Sequence, residues 1–263
     1  MVKTLLPSMK LFYREYGTSQ APLVILHGLL GSSDNWLPQA KMLSDEYHVF
    51  VLDQRNHGQS PHSHDFSYAV LAADLREFIV DKKLEKPVLL GHSMGGKTVM
   101  QYALSYPDEL EAMIVVDIAP KAYDVRHDHI VEGLKAIPVQ QISGRSQADE
   151  ALAAYVPQPA VRQFLLKNLK RLPDGKFGWR VNLPVIDRQL EAISAGIPEQ
   201  GVCNKPALFI RGAQSDYIAD EDRVLIKRYF PRAHLVTLNT GHWVQAEKPE
   251  EFVETVRKFL HAR

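Results

Sequence analysis

The chain has 263 residues, 45% hydrophobic and 24% charged, and this length suits one α/β domain with an insertion better than two separate domains. Its 31 basic and 31 acidic residues balance, which excludes a global field that would attract nucleic acid or an anionic membrane. A single cysteine, Cys203, excludes an internal disulfide and is typical of a reducing compartment.

Seven short apolar runs, bounded by glycine, proline or aspartate, are typical of β-strands. In chain order they are Leu11–Tyr16, Leu23–Leu26, Tyr47–Leu52, Pro87–Leu90, Ala112–Val116, Ala207–Ile210 and His234–Leu238. Because most of these runs are apolar throughout, they indicate strands covered on both faces, as in a parallel sheet.

Segments with helical periodicity lie between these runs, at Tyr68–Val80, Lys97–Tyr106 and Pro249–Leu260. Alternation of strands and helices predicts a doubly wound α/β sheet. The segment from Ala119 to Lys205 breaks the alternation, since it has amphipathic helical pieces and no convincing strand. We therefore predict an α/β core at 1–118 and 206–263, with a helical cap at 119–205 over the carboxyl ends of the strands.

One pentapeptide carries the pattern of a serine nucleophile. Gly91-His92-Ser93-Met94-Gly95 fits G-x-S-x-G, directly after a predicted strand and directly before a predicted helix. The glycines permit the close backbone approach that a strained strand-to-helix turn requires. The helix start offers unpaired N–H groups, among them that of Met94, to a developing oxyanion. This pattern predicts Ser93 as the nucleophile.

The same stretch also matches a phosphate-binding loop. Gly91 and Gly96-Lys97-Thr98 satisfy G-x-x-x-x-G-K-[ST] between a strand and a helix. Asp117, at the end of the next apolar run, would suit a magnesium ligand. A nucleotide site is the less favoured interpretation, because it gives no role to the two histidine-containing motifs that flank this stretch in the chain.

Those two motifs supply the remaining parts of a hydrolytic site. His27-Gly28-Leu29-Leu30-Gly31-Ser32 follows the second run, where a glycine-rich loop can present the Leu29 N–H as a second oxyanion donor. Gly241-His242-Trp243 follows the last run, as expected for a triad in the order serine, acid, histidine. We predict that His242 takes the serine proton and returns it to the leaving group. Between them, Asp53 and Arg55 begin a loop that we expect them to brace by pairing.

Together these motifs resemble the α/β-hydrolase family and, within it, the small bacterial acyl esterases of the YbfF type. The resemblance extends from about Leu11 to Leu260. It rests on HGLLGSSDNW (27–36), DQRNHGQSP (53–61), GHSMGGK (91–97), VVDIAP (115–120) and GHWVQAEKP (241–249). It implies a mostly parallel sheet flanked by helices, with a cap inserted after Asp117. It also implies hydrolysis of esters or acyl thioesters through an acyl-enzyme on Ser93.

The acid of the triad has two candidates. In many members of the family the acid stands in a G-x-x-D turn after the strand that corresponds to Ala207–Ile210, but here Ser215 holds that place and Asp216 is one residue late. The resemblance to YbfF-type enzymes favours Asp117, because VVDIAP matches the segment that carries the acid in those enzymes. We predict Asp117 as the acid, with Ser215 as an auxiliary partner and Asp216 as the alternative.

Several residues of the cap have two open interpretations. Five apolar side chains either line an acyl pocket or form the cap's own core: Phe164, Leu165, Phe177, Trp179 and Leu183. Three basic residues are solvated or contact the phosphates of an acyl-CoA: Arg126, Arg162 and Lys167. The pairs His62-x-His64 and His127-x-His129 lack a third ligand at recognisable spacing, so we predict no metal site.

These features lead to a set of functional expectations. The substrate is a small acyl ester or thioester, with no cofactor, nucleic acid or membrane as partner, and the chain is a monomer or weak homodimer. We expect a cytoplasmic protein, because residues 1–7 do not form a signal peptide and no run approaches a membrane span. The alternatives are a lyase or C–C bond hydrolase in which Lys97 steers an acidic substrate, and a receptor without catalysis.

Overall fold

The computed structural model describes residues 8–125, 127–198 and 201–262 and places a seven-stranded sheet at the centre of the fold. The described strands are β1 (Tyr13–Tyr16), β2 (Pro22–Leu26), β3 (His48–Leu52), β4 (Val88–His92), β5 (Ala112–Val116), β6 (Leu169–Arg171), β7 (Phe177–Trp179), β8 (Ala207–Gly212) and β9 (Ala233–Leu238). All of them except β6 and β7 belong to this sheet. The sheet has the order β1-β3-β2-β4-β5-β8-β9. Only β1 runs antiparallel to its neighbour, and the other pairs are parallel, so the predicted sheet is confirmed.

Helices cover both faces of this sheet, and five further described helices lie in the segment between β5 and β8. They are α1 (Leu37–Leu43), α2 (Tyr68–Asp81), α3 (Met94–Ser105), α4 (Asp128–Ala136), α5 (Arg145–Ala153), α6 (Pro159–Leu165), α7 (Leu183–Arg188), α8 (Leu190–Ser194), α9 (Asp222–Tyr229), α10 (Val244–Glu247) and α11 (Pro249–His261). The three helices expected from periodicity are present as α2, α3 and α11. In the described part of the chain, no helix is both long and apolar enough to cross a bilayer.

The core is divided by the sheet into two layers of apolar side chains. Alternate residues of β2 point to opposite faces, as a strand requires. Leu23 and Ile25 pack in the layer that contains Trp36 and the buried side of α11. Val24 and Leu26 pack in the other layer, with the buried sides of α2 and α3. The runs of apolar residues are therefore continuous because both faces of the inner strands are covered.

The segment predicted as a helical cap is not wholly helical. It contains α4 to α8, but β6 and β7 form a two-stranded antiparallel hairpin within it. The hairpin turns at Gly175, whose φ of +83° lies in the left-handed region that favours glycine. Each strand has three residues, too few to produce a readable alternation in the sequence. The segment leaves the sheet after β5 and returns at β8, the adjacent strand.

Candidate active site

Ser93 occupies a strained turn between β4 and α3. Its φ of +51° and ψ of −119° lie in a region that non-glycine residues rarely adopt. The turn is held by the Ser93 N–H, which donates to the carbonyl of Val116 at 3.0 Å. A Cβ on Gly95 would lie 2.5 Å from the carbonyl oxygen of Leu26, so only glycine permits this approach of helix and strand. Ser93 therefore lies directly after the carboxyl end of β4, as the sequence pattern predicts.

Two backbone N–H groups adjoin Ser93 and lack a protein acceptor within the described part of the chain. They belong to Leu29, in the loop after β2, and to Met94, the first residue of α3. Both residues border the space in front of Ser93. Amide groups at such positions stabilise negative charge on a substrate oxygen without reorganising during the reaction.

The loop that carries Leu29 is fixed by two buried histidines. His27 donates from Nδ1 to the Gly28 carbonyl at 2.8 Å and accepts at Nε2 from the Gln54 N–H at 3.0 Å. His57 accepts at Nε2 from the Leu30 N–H at 3.1 Å. Burial lowers the pKa of His27 to about 4 and, with the nearby His27, the pKa of His57 to about 3. Both rings are thus neutral at pH 7, which their acceptor role requires.

The peptide on the other side of Leu30 is held by the inserted segment. Asn168, in a 3₁₀ turn after α6, is 3% exposed and donates from Nδ2 to the Leu30 carbonyl at 2.7 Å. Leu30 itself has φ of +59°. A second asparagine of the segment, Asn182, donates to the side chain of Asn56 at 3.0 Å, in the loop after β3. The loop that carries Leu29 is therefore held from both the core and the insertion.

The imidazole of His242 is bound to the carboxylate of Asp117. Its Nδ1 donates to Asp117 Oδ2 at 2.7 Å, and the carboxylate is fully buried. Asp117 also accepts from the Gly212 N–H at 2.9 Å and from the hydroxyl of Ser215. Four polar groups thus meet at one strand end, with Ser215 in contact with the same carboxylate as the histidine. Asp117 is the carboxylate that the structure brings to His242.

Two aromatic rings pack against the His242 imidazole. Tyr217 stacks on it with ring centroids 4.1 Å apart and an interplanar angle of 22°, and His92 lies at 4.6 Å. His92 donates from Nε2 to the carbonyl of His242 at 2.9 Å. Burial, with the nearby His242, lowers the pKa of His92 well below its usual value, so its ring is neutral. These contacts fix the orientation of the ring that the sequence predicts as the base.

The expected pairing of Asp53 with Arg55 is wrong. Arg55 instead forms a two-pronged pair with Asp74 of α2, with Nε–Oδ2 at 2.6 Å and both side chains 1% exposed. Asp53 accepts from the N–H groups of Ser33 at 2.6 Å and Gln59 at 2.8 Å. The loop is braced, as expected, but its arginine pairs with a carboxylate on α2. The sequence of the loop alone does not indicate that partner.

A cavity of about 400 Å³ opens in front of Ser93 and His242. Its apolar wall comes from both the core and the insertion: Trp36, Ile130, Val156, Val161, Phe164, Leu165 and Trp243. Of the five apolar side chains considered for such a wall, only two line it, Phe164 and Leu165. Phe177 and Leu183 are buried in the apolar cluster that the insertion shares with one layer of the core, and Trp179 packs against that cluster, so the three do not line the cavity.

A second, smaller cavity of about 30 Å³ lies beside Ser93. Lys97 borders it, with Nζ donating to the carbonyls of Ser194 at 3.2 Å and of Ala195, and burial lowers its pKa to about 7. The Thr98 hydroxyl donates to Gln54 Oε1 at 2.9 Å. A phosphate loop would need this ammonium and this hydroxyl at its ligand. Both are engaged elsewhere, so the contacts disfavour a nucleotide site.

The remaining candidates from the sequence are dispersed. Arg126 lies outside the described residues, Arg162 pairs with Asp149 at 3.0 Å, and Lys167 is exposed. His127 and His129 border the larger cavity, whereas His62 binds the carbonyl of Arg180. Within residues 8–125, 127–198 and 201–262 no group of three histidine, cysteine or carboxylate side chains is arranged to hold a metal ion.

Three residues of the site went unpredicted from the sequence: His92, Tyr217 and Asn168. His92 occupies a variable position of the G-x-S-x-G pattern, and Tyr217 follows Ser215 by two residues. Both therefore lie next to residues that the sequence already marked as candidates for the site. Asn168 had none, because it lies 138 residues from the loop that it holds.

Comparison with known proteins gives one consistent result. A family model described as the alpha/beta hydrolase fold matches residues 21–150. Esterase YbfF of Escherichia coli is 35% identical, over 92% of this chain and 94% of that protein. The sn-1-specific diacylglycerol lipase ABHD11 of Mus musculus is 38% identical, over 90% and 80%. A solved structure of a marine microorganism esterase superposes with a TM-score of 0.94 at 43% identity, over 96% and 100%.

Proposed function

The chain belongs to the α/β-hydrolase family and is an ester hydrolase, and from this premise we propose that it cleaves carboxylic esters or acyl thioesters through an acyl-enzyme on Ser93. One observation carries the proposal. The Asp117–His242 hydrogen bond of 2.7 Å stands at the same cavity as the strained Ser93 turn. A buried carboxylate that orients an imidazole beside a serine is the arrangement that activates a hydroxyl as a nucleophile.

Acylation uses all of these groups. Ser93 Oγ attacks the substrate carbonyl carbon while its proton passes to Nε2 of His242. The N–H groups of Leu29 and Met94 bind the oxyanion that forms. The tetrahedral intermediate then collapses, the bond from carbon to the leaving oxygen or sulfur breaks, and His242 donates its proton to the leaving group. Throughout, Asp117 keeps Nδ1 protonated and stabilises the imidazolium.

Deacylation repeats the steps with water. His242 takes a proton from a water molecule, whose oxygen attacks the acyl carbon, and the same two N–H groups bind the oxyanion. Collapse releases the carboxylic acid and returns the proton to Ser93 Oγ. The proposed reaction thus needs no cofactor. The cytoplasmic location and the monomer or weak homodimer remain predictions.

A lyase or C–C bond hydrolase with the same triad is the second candidate. It would use the Lys97 ammonium to bind an acidic substrate. The Lys97 donors already bind two carbonyl oxygens of the insertion, which disfavours that use. A receptor without catalysis would not require the Asp117–His242 bond.

The test is covalent labelling by a fluorophosphonate, which reacts with activated serines. We expect the label on the peptide that contains Ser93. In Ser93→Ala, both the label and the hydrolysis of p-nitrophenyl acetate should be lost. Ser105→Ala, at the other end of α3, is the matched control and should label normally. An unlabelled wild-type chain that gains thermal stability from ATP and magnesium would contradict the proposal and favour a nucleotide site.

A further inference from the structure

Two cavities of unequal size meet at Ser93. The larger has a volume of about 400 Å³ and the smaller about 30 Å³. Four residues border both of them: Leu29, Ser93, His127 and Tyr217. An ester bound at Ser93 has two halves that diverge from the reacting carbon. The two cavities are therefore the two places into which these halves can extend.

Only the larger cavity borders the general base. His242 lines it, whereas the smaller cavity is bordered by Tyr217, the ring that stacks on His242. The leaving oxygen or sulfur must receive its proton from His242 within hydrogen-bond reach. A leaving group in the smaller cavity would have the Tyr217 ring beside it instead of the imidazole. This geometry places the alcohol or thiol half in the larger cavity.

The smaller cavity borders the oxyanion donors, Leu29 and Met94. Its volume accommodates about two water-sized groups, since about 10–15 Å³ of such space holds one. Lys97 also borders it, and its Nζ lies 4.8 Å from the ring centroid of Tyr123 and 5.5 Å from that of Tyr68. A long alkyl chain would exceed this space and would also press apolar surface against the polar Lys97 nitrogen. The cavity thus suits a short acyl group.

We propose that the acyl half of the substrate is short, of acetyl size, and occupies the smaller cavity, while a longer apolar alcohol or thiol occupies the larger one. The inference rests on the proposed serine mechanism and names the substrate class for it. The bonds that change are those already described: Ser93 Oγ gains a short acyl group, and the long alkoxide or thiolate leaves with the His242 proton.

An isomeric pair of esters tests the assignment directly. Hexyl acetate and ethyl hexanoate have the same atoms but exchange the long and short halves. We expect kcat/KM for hexyl acetate to be larger by about tenfold or more, because one misplaced methylene already costs about 10–200-fold in a fitted site. Equal values, or a preference for ethyl hexanoate, would overturn the assignment. The second result would place a long acyl chain in the larger cavity.

Two variants locate the discrimination. Ile193→Ala removes part of the wall of the smaller cavity and should raise the ratio of p-nitrophenyl hexanoate to p-nitrophenyl acetate hydrolysis, at equal leaving group. Val161→Ala enlarges only the larger cavity and should leave this ratio as it is. An unchanged ratio in an Ile193→Ala protein that unfolds cooperatively would overturn the proposal.

The outcomes separate this inference from the serine mechanism. Absence of hydrolysis of every ester, together with absence of fluorophosphonate labelling, contradicts both. Labelling of Ser93 with a reversed isomer preference contradicts only the assignment of the halves. Labelling with the acetate preference supports both.

Discussion

Asp117 is held by three hydrogen-bond donors, and each of them constrains its role. The Gly212 N–H binds one carboxylate oxygen, while the Ser215 hydroxyl and His242 Nδ1–H bind the other. Its own φ of +51° shows that the backbone bends to bring the carboxylate there. A carboxylate so surrounded accepts every bond, and an amide in its place would present N–H to one of the donors.

Asp117→Asn tests the identity of the acid. The amide would favour the wrong tautomer of His242, and we expect kcat to fall by up to ~10⁴ with a folded protein. Asp216→Asn is the control and should keep most of the activity. Steady-state kinetics on one ester give both values. A larger loss in Asp216→Asn than in Asp117→Asn would show that the acid is misassigned.

Asn168 is the residue through which the insertion holds the loop after β2, which carries the proposed oxyanion donor Leu29. Asn168→Ala leaves the buried Leu30 carbonyl without its donor, and the loop can shift. Since displacement of a catalytic group by about 1 Å costs up to ~100-fold, we expect kcat to fall about tenfold with little change in KM. Asn168→Asp, which cannot donate to a carbonyl, should fall at least as far.

Asn182→Ala is the matched control for Asn168. Asn182 also joins the insertion to a core loop through an amide bond of 3.0 Å, but to Asn56 and not to the oxyanion loop. Its variant should lose a similar amount of stability while kcat is preserved. Equal losses of kcat in the two variants, at equal melting temperatures, would show that Asn168 acts only on stability.

The strand-to-helix turn between β4 and α3 places its strain on Ser93, the proposed nucleophile. A non-glycine residue in such a conformation costs about 1–3 kcal/mol. We expect Ser93→Gly to unfold with a free energy about 1 kcal/mol higher than Ser93→Ala, although neither hydrolyses esters. Urea titrations of the two variants measure the difference. An equal or higher stability of Ser93→Ala would show that the turn carries no strain.

The elements differ in how far the sequence predicts them. All seven strands of the sheet and α2, α3 and α11 were predictable, because continuous apolar runs and a regular buried helical face leave a clear periodicity. The hairpin of β6 and β7 and the helix α9 were not. The hairpin strands have three residues each, and α9 presents only Ile226 and Tyr229 as buried apolar residues. Signals of that length do not stand out from the surrounding polar sequence.

For the site, the sequence predicted residues within motifs but not contacts between distant segments. Ser93 and His242 each follow a strand that the sequence marks, so their side of the sheet was predictable. The Arg55–Asp74 pair, the Asn168–Leu30 bond and the inventory of the cavity walls depend on tertiary packing. Such contacts leave no periodicity, and the expected Asp53–Arg55 pair was wrong.

At the scale of the whole molecule, buried neutral histidines make stability depend on pH. The pKa of His27 is about 4 and that of His57 about 3 in the folded chain, because burial disfavours the charged rings, against about 6.5 in the unfolded chain. The unfolded chain therefore binds protons below about pH 6.5 that the folded chain does not. The stability that these residues contribute is full above that pH and is lost as the pH falls.

Urea unfolding at a series of pH values measures this loss. The slope for each histidine approaches about 1.4 kcal/mol per pH unit well below pH 6.5, so the pair should lower the free energy of unfolding by about 3 kcal/mol between about pH 6.5 and 5. His57→Gln should remove about half of this fall. If its pH slope equals that of the unmodified chain, His57 is not neutral in the folded state.

The most direct test of the serine mechanism is to trap the acyl-enzyme. The protein is mixed with p-nitrophenyl acetate, quenched in acid within the first turnovers, digested and examined by mass spectrometry. The mechanism predicts one acetyl group on the peptide that contains Ser93, and none in Ser93→Ala. Hydrolysis by Ser93→Ala at the rate of the unmodified chain, or an acetyl group that remains on another residue in that variant, would contradict it.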